Sequence, residues 1–157
     1  MVDFTIEEVI NQPKDVVYKA FFNPENMIFW TKDLEKIEII SGNLDESGSK
    51  AVLHFIRDGK RYRMEEELIE SLPGYKYVTR VSGDYITATL EIILEEADKD
   101  TVLKVHYSGK GNSISLKIRL LFKKKKMRQI LSNELKTFKE LVENRGSEFN
   151  IFSHKIS

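Results

Sequence analysis

The sequence predicts an α+β domain in which a curved antiparallel sheet of six to seven strands wraps around a long C-terminal helix, with two short helices after the first strand. Three observations predict it. Apolar residues alternate with polar ones, the period of a strand with one buried face, through most of the first 107 residues. Turn signals recur at hairpin spacing: Asp58-Gly59, Pro73-Gly74, Gly83-Asp84 and Asp98-Lys99-Asp100. From Met127 the apolar residues step by three or four instead of two, the period of an amphipathic helix.

The elements follow in order. Phe4, Ile6 and Ile10 share one face of a strand over residues 3–10. Pro13 suits the first position of a helix over residues 13–22, where its missing N–H costs nothing. Val16, Val17, Ala20 and Phe21 form that helix's apolar stripe. Asn23 is a good N-cap for a second short helix, Pro24 suits its first turn, and Glu25 favours the positive end of its dipole. Met27, Ile28 and Trp30 supply its apolar side. Residues 34–41 read as a second strand with Ile37 and Ile39 on one face, and Gly42 and Gly48 bracket a polar loop. Ala51, Leu53 and Phe55 share a face of the next strand. Tyr62, Met64, Glu66 and Leu68 do so after the Asp58-Gly59 turn. Residues 75–82 return, followed by a long strand carrying Ile86, Ala88, Leu90, Ile92 and Leu94, and a last strand carrying Leu103, Val105 and Tyr107. Gly109-Lys110-Gly111-Asn112 reads as a flexible turn before the helix, since it lacks the Walker spacing of a nucleotide loop. Met127, Ile130, Leu131, Leu135, Phe138, Leu141 and Val142 form the helical stripe. Ile114, Leu116, Ile118, Leu120 and Phe122 alternate as a strand would, which leaves the helix start open between residues 113 and 126. The expected organisation is one domain over residues 1–143 and a tail over 144–157, with Phe149, Ile151 and Phe152 as candidate anchors.

Composition narrows the function classes. The 157 residues contain 41% apolar and 32% charged residues, the balance of a globular chain. Twenty-five basic residues offset 25 acidic ones, which argues against a nucleic-acid partner for the surface as a whole. There is no cysteine, so disulfides and thiolate chemistry are excluded. Met1-Val2-Asp3-Phe4 lacks the basic start of a signal peptide, and no run approaches the roughly 20 apolar residues of a membrane span. The expected location is cytoplasmic. His54 and His106 lie on faces opposite Leu53 and Leu103 and are expected to point outwards. His154 lies in the tail, so no metal site and no cofactor are expected. No serine sits in a G-x-S-x-G context.

The order of elements implies a pocket. One helix roughly 10 Å wide is too narrow to cover the concave face of a twisted sheet of this size. Space left between sheet and helix is a natural small-molecule site. The expected lining is Trp30, Phe55, Tyr62, Met64, Glu66, Leu90, Ile92, Tyr107, Leu131 and Phe138. For most of the aromatic residues the alternative is simple core filling. Glu66 carries the sharpest question, because a carboxylate in phase with Tyr62, Met64 and Leu68 is costly unless paired or protonated. It is either a polar anchor in the pocket or a residue turned to water by a local bulge or held in a salt bridge. Lys123, Lys124, Lys125, Lys126 and Arg128 form a basic run. It reads either as a solvated stretch of helix or as a peripheral contact with an anionic membrane.

The local text resembles the START/Bet v 1-like superfamily with its helix-grip fold. Phe4-Thr5-Ile6 through Ile10-Asn11-Gln12-Pro13-Lys14-Asp15-Val16-Val17 is similar to that family's opening strand and P-x-x-V helix start. Phe22-Asn23-Pro24-Glu25-Asn26 with Trp30 resembles its short second helix. Leu131 to Glu143, with Glu134-Leu135 and Phe138-Lys139-Glu140-Leu141, resembles its closing helix. The resemblance covers residues 3–143 and implies a deep cavity for an apolar ligand such as a lipid, quinone or polyketide-like molecule. Members include carriers, sensors and cyclases, so the fold alone does not settle function. The leading expectation is binding without catalysis. An enzyme of the cyclase or dehydratase type using Glu66 and Tyr107, and a protein-interaction module of the chaperone-activator type, are the alternatives.

Overall fold

The computed structural model describes residues 1–43, 45–84, 86–111 and 114–146, with backbone alone for 114–123. Strand β1 (Val2–Ile10) is followed by helices α1 (Lys14–Phe21) and α2 (Pro24–Trp30). Six strands follow: β2 (Leu34–Ser41), β3 (Lys50–Arg57), β4 (Lys60–Leu72), β5 (Lys76–Ser82), β6 (Ile86–Ala97) and β7 (Asp100–Gly111). Helix α3 (Ile114–Arg145) closes the fold. The seven strands form one antiparallel sheet in the order β1-β7-β6-β5-β4-β3-β2. The curved sheet and its long C-terminal helix are those of the helix-grip fold.

Local chemistry accounts for the joints. Asp58 and Gly59 both adopt positive φ, 51° and 74°, which lets a two-residue turn match the twist of β3 and β4. The Asn23 side chain accepts the Glu25 N–H at 3.0 Å and starts α2. Asn26, fully buried, donates from Nδ2 to the Ala20 carbonyl at 3.1 Å and so ties α2 to α1. At the far end, Gly146 takes φ 52° and its N–H returns to the Val142 carbonyl, a left-handed stop to α3.

The core lies between α3, α1, α2 and the concave face of the sheet. Val17, Ala20 and Phe21 of α1 pack with Leu103, Val105 and Leu94 of the sheet and with Leu135, Phe138 and Val142 of α3. α3 packs on β1 and β7, and α2 packs on β2. The C-terminal end of α3 is also tied by polar groups. Asn11 N donates to Glu143 Oε2 at 2.7 Å, and Gln12 Nε2 donates to the Val142 carbonyl at 3.2 Å. The Gln12 carbonyl in turn accepts from the buried Thr101 hydroxyl at 2.8 Å.

One open question is resolved and one expectation changes. The helix begins at Ile114, within the range left open, so the strand-like alternation over 114–122 lies on a helix; the side chains there fall outside the description. Gly109, Lys110 and Gly111 are not a turn but the end of β7, where Gly111 pairs with Ile86. Gly109 has a packing reason to lack a side chain. The Tyr107 ring stacks on Phe4 with centroids 5.0 Å apart and lies along the strand over Gly109. A Cβ at Gly109 would meet the Tyr107 hydroxyl at 2.5 Å and its ring at 2.8 Å. The expected tail residues Phe149, Ile151, Phe152 and His154 lie outside the described residues.

A Gly109→Ala change should therefore displace the Tyr107 ring and cost about 1–3 kcal/mol, the usual range for overpacking. Urea unfolding followed by circular dichroism measures it. A loss within error of zero would show that the ring is free to move.

Candidate functional site

A cavity of about 500 Å³ lies between α3, α2 and the sheet. Ligand sites commonly occupy about 300–1,000 Å³. Its sheet wall comes from Ile37 and Ile39 of β2, Ala51, Leu53 and Phe55 of β3, and Tyr62, Met64, Glu66 and Leu68 of β4. It continues through β5 and β6, with Ala88, Leu90 and Ile92, to Val105 and Tyr107 of β7. The helical wall comes from Met127, Ile130, Leu131, Glu134 and Leu135 of α3, together with Met27 and Trp30 of α2. Period-two alternation along four successive strands points these residues inward.

The rim is basic and the interior is not. Lys32, Lys50 and Arg57 border the cavity and are exposed. Arg57 Nε lies 3.0 Å from Asp33 Oδ2 in an ion pair. The titratable groups lining the interior are Glu66, Glu134, Tyr62 and Tyr107. Glu66 is half-buried by surface area yet has protein around it on every side, so what it faces is the cavity. Its cross-strand neighbours are Ala51 and Val81, both apolar. Among the described residues no cation or hydrogen-bond donor meets it. Desolvation alone pushes its carboxyl up to about 7. β4 does carry an irregularity, but it falls between Leu68 and Glu70, after Glu66, which therefore keeps phase with Met64 and Leu68.

Glu134 is the second carboxyl, on the opposite wall. Burial raises it to about 7 as well, against the backbone N–H of Lys32, which donates to Oε1 at 3.4 Å, and the Lys32 charge. Tyr107 is pushed up to about 12 by burial. Tyr62 is also raised by burial, with Arg57 opposing the shift. The Trp30 indole N–H is buried without a partner among the described residues.

Nine of the ten residues expected to line the pocket do border this cavity: Trp30, Phe55, Tyr62, Met64, Glu66, Leu90, Ile92, Tyr107 and Leu131. Phe138 does not. It is fully buried one level below, edge-on to Phe21 at 5.2 Å and to Trp30 at 5.4 Å, where α1 and α2 close against α3. Glu134 was missed as a pocket residue. The signal was present, because Glu134 lies three residues after Leu131 and one before Leu135 and so belongs to the inward stripe. His54 and His106 sit on the outer face, 3.0 Å from Glu38 and 2.9 Å from Asp3. Among the described residues no group of three His, Asp or Glu could hold a metal.

Glu66 is expected to destabilise the ligand-free fold at high pH. Its folded value near 7 lies above the ordinary glutamate value of 4.5, so the unfolded chain ionises first and stability falls as pH rises through that window. Glu66→Gln should therefore raise the unfolding free energy above pH 7 by up to about 3 kcal/mol, with the gain vanishing below pH 4.5. Urea unfolding from pH 4 to 8.5 checks this; a pH-independent difference would show that burial of the charge is not the cause.

Comparison with known proteins places the fold. Ara h 8.0201 matches over 89% of this chain and 96% of its own, with a TM-score of 0.72 and 18% identity. CV1439 from Chromobacterium violaceum matches over 90% and 97%, with a TM-score of 0.73 and 17% identity. The di-domain ARO/CYC protein StfQ of the steffimycin biosynthetic pathway matches over 92% of this chain and 51% of its own, with a TM-score of 0.74 and 16% identity. No curated protein matches in sequence. The family described as "Activator of Hsp90 ATPase homolog 1-like protein" matches residues 11–143. The chain belongs to that family, within the START/Bet v 1-like superfamily.

Proposed function

We propose that the protein binds a small, largely apolar molecule of the lipid, quinone or polyketide-like kind in the cavity between sheet and α3, as a carrier or sensor. The observation that carries this reading is a cavity of about 500 Å³ whose wall is apolar except for a few fixed polar groups. A pure interaction module would be expected to fill that space with its own side chains. The ARO/CYC protein StfQ shares the architecture, which is consistent with either binding or turnover.

Catalysis on the bound molecule is the second reading. Two carboxyls near 7 on facing walls are suited to proton transfer around neutral pH. It predicts that a co-purified ligand is converted on incubation and that Glu66→Gln keeps binding while losing conversion.

Native mass spectrometry of protein isolated from its own host should show a bound molecule of a few hundred daltons, a size the cavity volume sets. Ala88 lines the cavity and is 4% exposed, so Ala88→Phe should fill part of it. Binding of an apolar probe, read from the emission of the single tryptophan, Trp30, should weaken about tenfold or more in that variant. A protein that carries nothing and takes up no apolar probe would refute the binding reading.

The basic run supports a further element of the same proposal, collection or delivery at an anionic membrane. Lys124, Lys125, Lys126 and Arg128 are all exposed on α3, and the Lys123 side chain lies outside the description. Each basic residue near such a surface contributes about 1 kcal/mol. Co-sedimentation with phosphatidylserine vesicles should be strong at low salt and lost at high salt. No binding at low salt removes the membrane contact.

A further inference from the structure

We propose that the molecule this cavity is built for carries a basic nitrogen: an amphiphilic amine, with its apolar body along the sheet and its ammonium group against the Glu66 and Glu134 carboxylates. This rests on the binding reading above and names the chemical class of the ligand.

Three observations carry it. First, the polarity of the interior has one sign. Glu66 reaches the cavity from β4 and Glu134 from α3, and the cations that border the space, Lys32, Lys50 and Arg57, are all at its exposed rim. A fatty acid or other anion placed deep in the cavity would bring a third negative charge beside two carboxylates. Second, Glu66 has no partner among the described residues. A buried carboxylate without a donor or counter-charge costs several kcal/mol, and a bound ammonium with its N–H donors removes that cost. Third, the aromatic rings of Trp30, Phe55, Tyr62 and Tyr107 line the same space. Phe55 and Tyr62 stack face to face with centroids 5.0 Å apart. Ring faces attract alkylammonium groups, so the apolar wall and the carboxylates select for the same end of the ligand.

The charges around each carboxyl set the sign of the pH effect. Glu66 meets apolar residues on β3 and β5, Ala51 and Val81, and Met64 and Leu68 on its own strand. Glu134 meets Lys32 and Asp33 from the segment after α2, and Tyr62 from β4. Of the sheet cations at the rim, Arg57 is held by Asp33, and Lys50, next to Ala51 on β3, stands opposite Glu67. An alkylamine stays protonated throughout the neutral range, while both carboxyls ionise near 7. Affinity for the amine should therefore rise between pH 6 and pH 8, while affinity for an uncharged analogue should not.

The experiment compares decylamine, decanol and decanoate, one alkyl length with three head groups, by titration calorimetry and Trp30 emission at pH 6, 7 and 8. The expected result at pH 8 is that decylamine binds about tenfold or more tightly than decanol, with decanoate weakest, as a charge pair in a low-dielectric site requires. Glu66→Gln should bring the amine-to-alcohol ratio down to within about threefold while decanol binding persists, and Glu134→Gln should lower the ratio separately. If Glu66→Gln fails to fold, the pH profile of the unaltered protein and the Glu134→Gln variant still decide. Equal binding of amine and alcohol, or preference for decanoate, overturns the amine assignment and leaves the cavity reading standing. Failure of all three to bind overturns both.

Discussion

The packing of Phe21, Trp30 and Phe138 is the contact on which the rest of the structure depends. Phe21 stacks on Trp30 at 5.1 Å, and Phe138 meets both edge-on. One residue comes from each helix, so the cluster fixes α1, α2 and α3 relative to one another at one end of the sheet. With the Leu135 and Val142 packing and the polar ties at its C-terminal end, the cluster holds α3 over β1 and β7, while β3, β4 and β5 face the cavity. Phe21 and Trp30 also border the cavity, and Phe138 packs behind them, so the same rings form part of its wall.

Volume and polarity are linked through the same geometry. Inward residues alternate along each strand, so a strand that contributes Met64 and Leu68 to the wall must also contribute whatever stands between them on that face. In β4 that residue is Glu66. An apolar side chain there would satisfy the core more simply. The carboxyl instead meets no cation among the described residues and sits far above its usual range. Such a group lowers the stability of the empty protein at neutral pH. This makes it a feature of the site rather than of the fold.

Much of this was legible in the sequence, because period and turn chemistry are local. The Asp58-Gly59 pair announced its hairpin through positive φ, and Asn23-Pro24 announced a helix start through capping. The inward phase of Tyr62, Met64, Glu66 and Leu68 followed from alternation, and only the position of the bulge in β4 was undetermined. What was not legible depended on tertiary neighbours. Gly109 looks like a turn glycine until the Tyr107 ring is seen to lie over it. Phe138 and Leu131 belong to the same helical stripe, and only the approach of α1 and α2 separates a core residue from a cavity residue. Apolar residues at 114–122 fit both periods, so their pattern could not choose between strand and helix. Glu134 was overlooked because a charged residue next to Leu135 reads as the edge of the polar side.

The polar stitches at the C-terminal end of α3 have a mechanical consequence. Asn11, Gln12 and Thr101 pin residues 142 and 143 to the start of α1 and to β7. Among the described residues, the segment that borders the cavity, Met127 to Leu135, has no equivalent hydrogen-bonded fastening to the β2–β4 side apart from the long contact between Glu134 and Lys32. The part of α3 that walls the cavity is therefore held by apolar packing more than by directional bonds, and such packing has no fixed bond geometry that a guest must break.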